Sequence, residues 1–264
     1  MTHILAIVNQ KGGVGKTTTS VNLGSALARL GQRVLLVDLD PQANATGAIG
    51  FQPPPQPGVY EVLMQDVGLD DAVMPTEVAG LEVLPAHPDL AGAEVELVPA
   101  IAREQRLRQA FAEQPERWDV VLIDCPPSLG LLTVNALTAA TGILVPLQCE
   151  YFALEGLGRL LETVRLVQGS LNPALSLTGI LLTMFDARNN ICHQVAEEVT
   201  GHFHWDVFES VIPRNVRLSE APSFGRPIDL YDPECRGAQS YADLARELLN
   251  RLTGAPAPGE AINH

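Results

Sequence analysis

Residues 9–24 read Asn9-Gln10-Lys11-Gly12-Gly13-Val14-Gly15-Lys16-Thr17-Thr18-Thr19-Ser20-Val21-Asn22-Leu23-Gly24. The apolar run Ile4-Leu5-Ala6-Ile7-Val8 precedes them and reads as a buried strand, while Val21 to Leu30 follows with apolar residues at helical spacing. Strand, glycine-rich loop and helix in that order is the setting of a phosphate-binding loop. Gly12, Gly13 and Gly15 allow the backbone to turn its N–H groups around phosphate oxygens. A helix starting at Lys16 directs its N-terminal partial positive charge at the same phosphates. Lys16 is placed to reach the β- and γ-phosphates, and the Thr17 hydroxyl to sit on Mg²⁺.

The general pattern has a glycine where this chain has Gln10, and Lys11 follows it. This is the deviant Walker A form, Lys-Gly-Gly-x-Gly-Lys-Thr, and with it the chain resembles the ParA/MinD branch of P-loop ATPases. The resemblance implies a nucleotide-binding set of Lys11, Gly12, Gly13, Val14, Gly15, Lys16, Thr17 and Thr18, with Lys11 reaching across a nucleotide-sandwich dimer to the partner's ATP. Composition points the same way. Of 17 lysines and arginines, only Lys11 and Lys16 are lysines. A bias toward arginine that is spared twice in six residues marks places where a slim ammonium fits and a planar guanidinium does not.

At 264 residues and 46% hydrophobic, the chain has ample material for a buried core. It is read as a single domain over 1–252, with a Pro/Ala/Gly-rich tail over 253–264 expected to be disordered. No apolar run reaches the ~18 residues of a membrane span. Thr2-His3 lead straight into the first strand, so no signal peptide is expected and a cytoplasmic location is. Cys125, Cys149, Cys192 and Cys235 are scattered, which suits reduced thiols better than disulfides or a zinc site. The formal net charge of −14 argues against a wholly basic nucleic-acid module and leaves room for a local patch.

Gln32 to Val37 reads as a second buried strand, ending in Asp38-Leu39-Asp40-Pro41-Gln42. Continuous apolar residues suit a parallel strand covered on both faces, and ligands of open α/β sheets bind at the carboxyl ends of such strands. Asp-x-Asp-Pro-Gln resembles the family's switch I, which implies that Asp40 orients the attacking water and stands behind the waters of Mg²⁺. Trp118 to Ile123 followed by Asp124 reads as a Walker B strand whose acid serves Mg²⁺. Asp124-Cys125-Pro126-Pro127-Ser128 resembles switch II, with Ser128 expected to cap a helix over 129–139. A helix is expected over 102–113 with Arg103, Arg106 and Arg108 on its surface, and another over 151–168.

Met184-Phe185-Asp186-Ala187-Arg188-Asn189-Asn190 follows a further strand, Thr178 to Thr183. The Asn-Lys-x-Asp motif that reads guanine is missing there, which favours adenine. His193, His202 and His204 have no recognisable metal-site spacing and are expected on the surface. Val211 to Ser223 closely resembles the chromosomal ParA (Soj) group, whose Pro-Arg-Asn turn borders the adenine, implicating Pro213 and Asn215. The same resemblance places non-specific DNA contacts at Arg188 and Arg217.

The expected architecture is an α/β P-loop NTPase, a mostly parallel twisted sheet of about seven strands with helices on both faces. The resemblance implies an Mg²⁺-dependent ATP hydrolase, slow and partner-stimulated, with Lys11, Lys16 and Asp40 catalytic and Thr17, Asp40 and Asp124 serving the metal. It implies a homodimer that binds double-stranded DNA without sequence preference on the nucleoid and is released by a ParB-like partner. A MinD-like membrane ATPase is the alternative, but the stretch 242–252 has balanced charge rather than a basic amphipathic face. A metabolic relative, such as an iron–sulfur reductase or an amidating synthetase, would need paired cysteines or substrate-binding insertions.

Overall fold

A computed structural model of the chain describes residues 2–254, apart from Pro115 and Trp205. The strands are β1 His3–Ile7, β2 Val34–Asp38, β3 Met74–Pro75, β4 Leu81–Leu84, β5 Val120–Asp124, β6 Gly142–Gln148 and β7 Ser176–Thr183. They form one 7-stranded sheet in the order β3-β4-β2-β5-β1-β6-β7. Every neighbouring pair is parallel except the short β3 with β4.

The apolar runs explain this topology. β2 and β5 are buried at every residue, as strands covered on both faces must be. Alternation along each strand sorts the side chains into two layers. Leu5, Ile7, Val34, Leu36, Val120 and Leu122 face a layer built on the helices Lys16–Arg29 and Arg236–Thr253. Ala6, Val8, Leu35, Val37, Val121 and Ile123 face the other, built on Arg106–Ala112, Leu131–Ala139 and Ala153–Ser170. The helix Lys16–Arg29 leaves central β1 and hands the chain to β2 on the far side of β5, so the loop between them opens at a crevice over the strand ends.

Three boundaries differ from the sequence expectations. The helix after β5 begins at Leu131 with Gly130 as N-cap, not at Ser128. A Cβ at Gly130 would run into the Glu94 carboxylate, and Ser128 instead uses its carbonyl to accept from Thr133 Oγ1 at 2.6 Å. The helix expected over 102–113 divides into a 3₁₀ turn, Arg103–Gln105, and the α-helix Arg106–Ala112. Arg106 is accordingly only half-exposed, with its Nε buried and without a hydrogen-bond partner. The closing helix, which the sequence pattern sets over 241–252, starts at Arg236, where Cys235 Sγ accepts from Ala238 N at 3.4 Å, and runs to Thr253. The tail expected beyond it lies outside the described residues. Among the described residues, no helix is long and apolar enough to cross a membrane.

Candidate active site

The glycine-rich loop joins β1 to the helix Lys16–Arg29. Gly13 and Gly15 have φ of 74° and 87°, a left-handed backbone that glycine adopts without penalty. Bonds to two other strands fix the loop. Asn9 donates through Nδ2 to the Pro146 carbonyl of β6 at 2.8 Å, and its Oδ1 accepts from Lys11 N at 3.0 Å. Thr183, at the end of β7, donates to the Val14 carbonyl at 2.8 Å. Neither Asn9 nor Thr183 was singled out by the sequence reading. Their polarity at strand ends next to apolar runs was the available signal.

Lys16 is 7% exposed, and its Nζ donates to the Lys11 carbonyl at 3.3 Å. Burial draws its ammonium below the usual lysine range, while Asp124, Cys125 and Asp40 oppose that shift. Lys11 is half-exposed and forms an ion pair with Glu150, just beyond β6. A Cβ added at Gly12 would meet nothing within 4 Å, so no crowding within this chain requires glycine there.

The parallel pairing of β2 and β5 sets Asp38 directly beside Asp124. Asp124 accepts from Thr17 Oγ1 at 2.8 Å and Ser20 Oγ at 2.9 Å. Burial, with Asp38 alongside, pushes its carboxyl up to about 7. Asp38 is pushed up to about 6 by burial, against hydrogen bonds from Thr46 and the Asp40 N–H. It accepts from Thr46 N at 2.8 Å and Thr46 Oγ1 at 2.7 Å, tying the end of β2 to the helix Asn44–Ala48. Asp40 lies between, 9% exposed, with Oδ1 accepting from Gln42 N at 3.0 Å. Asp38 therefore holds the loop on which Asp40 stands.

Lys16, Thr17 and Asp40 line a cleft of about 500 Å³, with Asp38 and Asp124 buried behind them. Gly12, Gly13, Gly15, Lys16, Thr17 and Thr18 form its floor, and Asp40, Gln42, Asn44, Met184, Ala221, Pro222 and Arg226 line its sides. Met184 has a φ of 51°, a left-handed backbone that is uncommon for a non-glycine residue. A Cβ built on Gly15 would lie 3.9 Å from its Cε. Pro213 bridges to Phe185, the neighbour of Met184, and Asn215 caps the helix Val216–Glu220 by accepting from Arg217 N at 2.8 Å. The Pro-Arg-Asn turn thus stands next to Met184, while Met184, Pro222 and Arg226 form the cleft wall itself. The wall segment rests on the switch side of the cleft, because Gly225 packs so closely on Gly50 that a Cβ at Gly225 would lie 2.8 Å from the Gly50 Cα.

Arg188 and Arg217 lie outside the cleft, and both are exposed. Arg188 grips Asp186 through Nε and Nη2 at 3.0 Å each, and Arg217 bonds Glu220 at 2.9 Å. His193, His202 and His204 are exposed, and among the described residues no group of three His, Cys, Asp or Glu side chains gathers as a metal cage.

Residues 2–177 match the AAA domain family. The chain is 58% identical over 249 residues to the sporulation initiation inhibitor protein Soj of Bacillus subtilis, covering 94% of this chain and 98% of that one. It is 56% identical over 252 residues to the chromosome partitioning protein ParA of Myxococcus xanthus, covering 95% and 89%. The chain belongs to the ParA/Soj family. Solved structures share its fold. One, named cobyrinic acid a,c-diamide synthase from Mycobacterium smegmatis, with bound ADP and magnesium, is 41% identical with a TM-score of 0.85 over 97% of each chain. Another, the septum site-determining protein MinD of Pyrococcus horikoshii, complexed with Mg-ADP, is 28% identical with a TM-score of 0.78, covering 98% of this chain and 100% of that one. The ParA/Soj relatives are the more similar in sequence over the same length, which places the chain with the chromosome-partitioning ATPases.

Proposed function

We propose that this chain is an ATP-hydrolysing switch for chromosome or plasmid partitioning, in which an ATP-bound homodimer holds DNA without sequence preference and hydrolysis, stimulated by a ParB-like protein, releases it. The carrying observation is the Thr17–Asp124 hydrogen bond at the cleft floor, with Lys16 and Asp40 on the same cleft. A hydroxyl and a carboxylate beside a phosphate-binding loop are hard oxygen donors, and Mg²⁺ is held by one or two such groups together with substrate phosphates. Thr17, Asp40 and Asp124 would hold it, directly or through water, and the ion would neutralise charge on the β- and γ-phosphate oxygens.

The chain's own groups account for the rest. The loop amides and Lys16 bind and orient the phosphates, while Asp40 accepts a hydrogen bond from the attacking water and aligns it. Phosphoryl transfer asks mainly for positioning and charge stabilisation, which this set supplies. Met184, Pro222 and Arg226, with Pro213 and Asn215 beside them, take the adenine side. Lys11 serves the partner's ATP across the dimer, a reading supported by its surface position and by the open space around Gly12. Arg188 and Arg217 contribute to the DNA face, and the location is the nucleoid in the cytoplasm.

The decisive experiment is Asp40→Ala, assayed for ATP binding, for ATP-dependent dimerisation by sedimentation and for phosphate release. The reading expects the first two to survive and the third to fail. Phosphate release at the wild-type rate would overturn it.

A further inference from the structure

Two segments distant in sequence meet at the proposed DNA face. The Phe185 carbonyl accepts from Arg214 N at 3.1 Å, which brings the loop of Arg188 against the turn that carries Arg214 and leads to Arg217. These two segments carry three exposed arginines, yet they do not present three free cations. Asp186 takes the Nε–Nη2 edge of the Arg188 guanidinium and also accepts from Arg188 N at 3.0 Å. Arg217 is shared between Glu220, at 2.9 Å, and Asp232, at 3.3 Å. Arg214 differs, since its exposed side chain makes no hydrogen bond or ion pair among the described residues. It is nonetheless close enough to Asp186 to help Arg188 hold that carboxyl down to about 2. Asp186 is therefore an ionised carboxylate held by Arg188, with the Arg214 charge nearby.

A phosphodiester and a carboxylate compete for the same guanidinium fork. We propose that Arg214 makes the leading phosphate contact on this face and that Asp186 is a built-in competitor, holding Arg188 back and keeping the attachment to duplex DNA weak enough to reverse. This rests on the DNA-binding reading above. It differs from that reading in naming a residue outside the two implied contacts and in assigning a negative role to an acid. The arrangement also suits a chain of formal charge −14, because Arg214 offers phosphate a cation with no ion pair to break.

The test is Asp186→Asn, whose side-chain oxygen can still accept the Arg188 N–H and keep the turn while losing the charge. Binding of a random-sequence duplex by the ATP-loaded protein is measured against salt, alongside Arg214→Ala, with ATP affinity and ATP-dependent sedimentation followed for both variants. Asp186→Asn should bind DNA roughly two- to fivefold more tightly per subunit, the range set by an exposed ion pair. Arg214→Ala should weaken binding on every sequence and lower the log–log salt slope by about 0.9 for each Arg214 engaged. If wild type binds duplex and both variants match it in affinity and slope, the proposal is wrong and the DNA reading stands. If ATP-loaded wild type binds no duplex at low salt, both fall together.

Discussion

Lys11 Nζ pairs with the Glu150 carboxylate on the surface, while Lys16 Nζ, from the same loop, bonds the Lys11 carbonyl inside the cleft. The loop's two ammonium groups thus already have separate assignments within one chain. Glu150 is followed by Tyr151 and Phe152, which are 84% and 69% exposed and meet edge to face at 5.1 Å between ring centroids. Aromatic residues left this open beside a charged pair are characteristic of surfaces that meet another protein.

If Lys11 is needed by a partner's ATP, Glu150 competes for it. Glu150→Gln should then tighten ATP-dependent dimerisation by up to about fivefold, the worth of an exposed ion pair. Sedimentation equilibrium with ATP and Mg²⁺ reads this directly. An unchanged or weaker dimer would show that the pair does not restrain Lys11.

Thr46 is fully buried, donates its hydroxyl to Asp38 and accepts from Ala86 N at 2.9 Å. Thr46→Val keeps the shape, strands the Ala86 N–H and leaves Asp38 Oδ2 only the backbone bond from residue 46. It should cost about 1–3 kcal/mol in urea unfolding, the penalty for leaving buried polar groups unsatisfied. It should also slow phosphate release, because the Asp40 loop hangs on Asp38. Normal stability would contradict the anchoring role given to this triad.

The buried acids set a pH dependence. Asp38 and Asp124 are pushed up to about 6 and about 7, so the folded chain holds their protons more tightly than the unfolded chain does. Their contribution to stability is complete below the ordinary carboxylate value of about 4 and is lost as pH rises through 6 and 7. Asp124→Asn cannot ionise and should flatten the fall in nucleotide-free stability between about pH 4 and pH 7. The same slope in wild type and variant would remove Asp124 as its source.

Met184 combines a left-handed backbone with a side chain on the nucleotide cleft. Met184→Gly relieves a conformation costing about 1–2 kcal/mol in a residue with a Cβ, while deleting part of the cleft wall. Thermal stability should hold while ATP affinity drops severalfold by calorimetry. A loss of stability with affinity intact would assign Met184 to the core instead.

The sheet was legible because parallel strands buried on both faces leave unbroken apolar runs, as at Val34–Val37 and Val120–Ile123. The position of Asp38 and Asp124 side by side at the strand ends beneath the cleft followed from those runs. The wall formed by Met184, Pro222 and Arg226 was not legible, since it depends on how three short segments after β7 fold back, and local pattern does not encode that return. The early start of the closing helix was hidden for a related reason. Its cap is a cysteine sulfur, an acceptor that sequence rules for helix starts do not rank. Nor could charge counting show that Arg106 is half-buried or that Arg188 is already engaged by Asp186.

The contact between Gly225 and Gly50 leaves no side chain in the joint to absorb movement. The helix beside Asp40 and the segment that runs back to Arg217 are butted together backbone to backbone, like two links of a rigid crank. A shift of the loop that carries Asp40 would be handed on to the arginine-bearing turn, so that under the proposed function the timing of hydrolysis and the grip on an outside ligand would share one moving part.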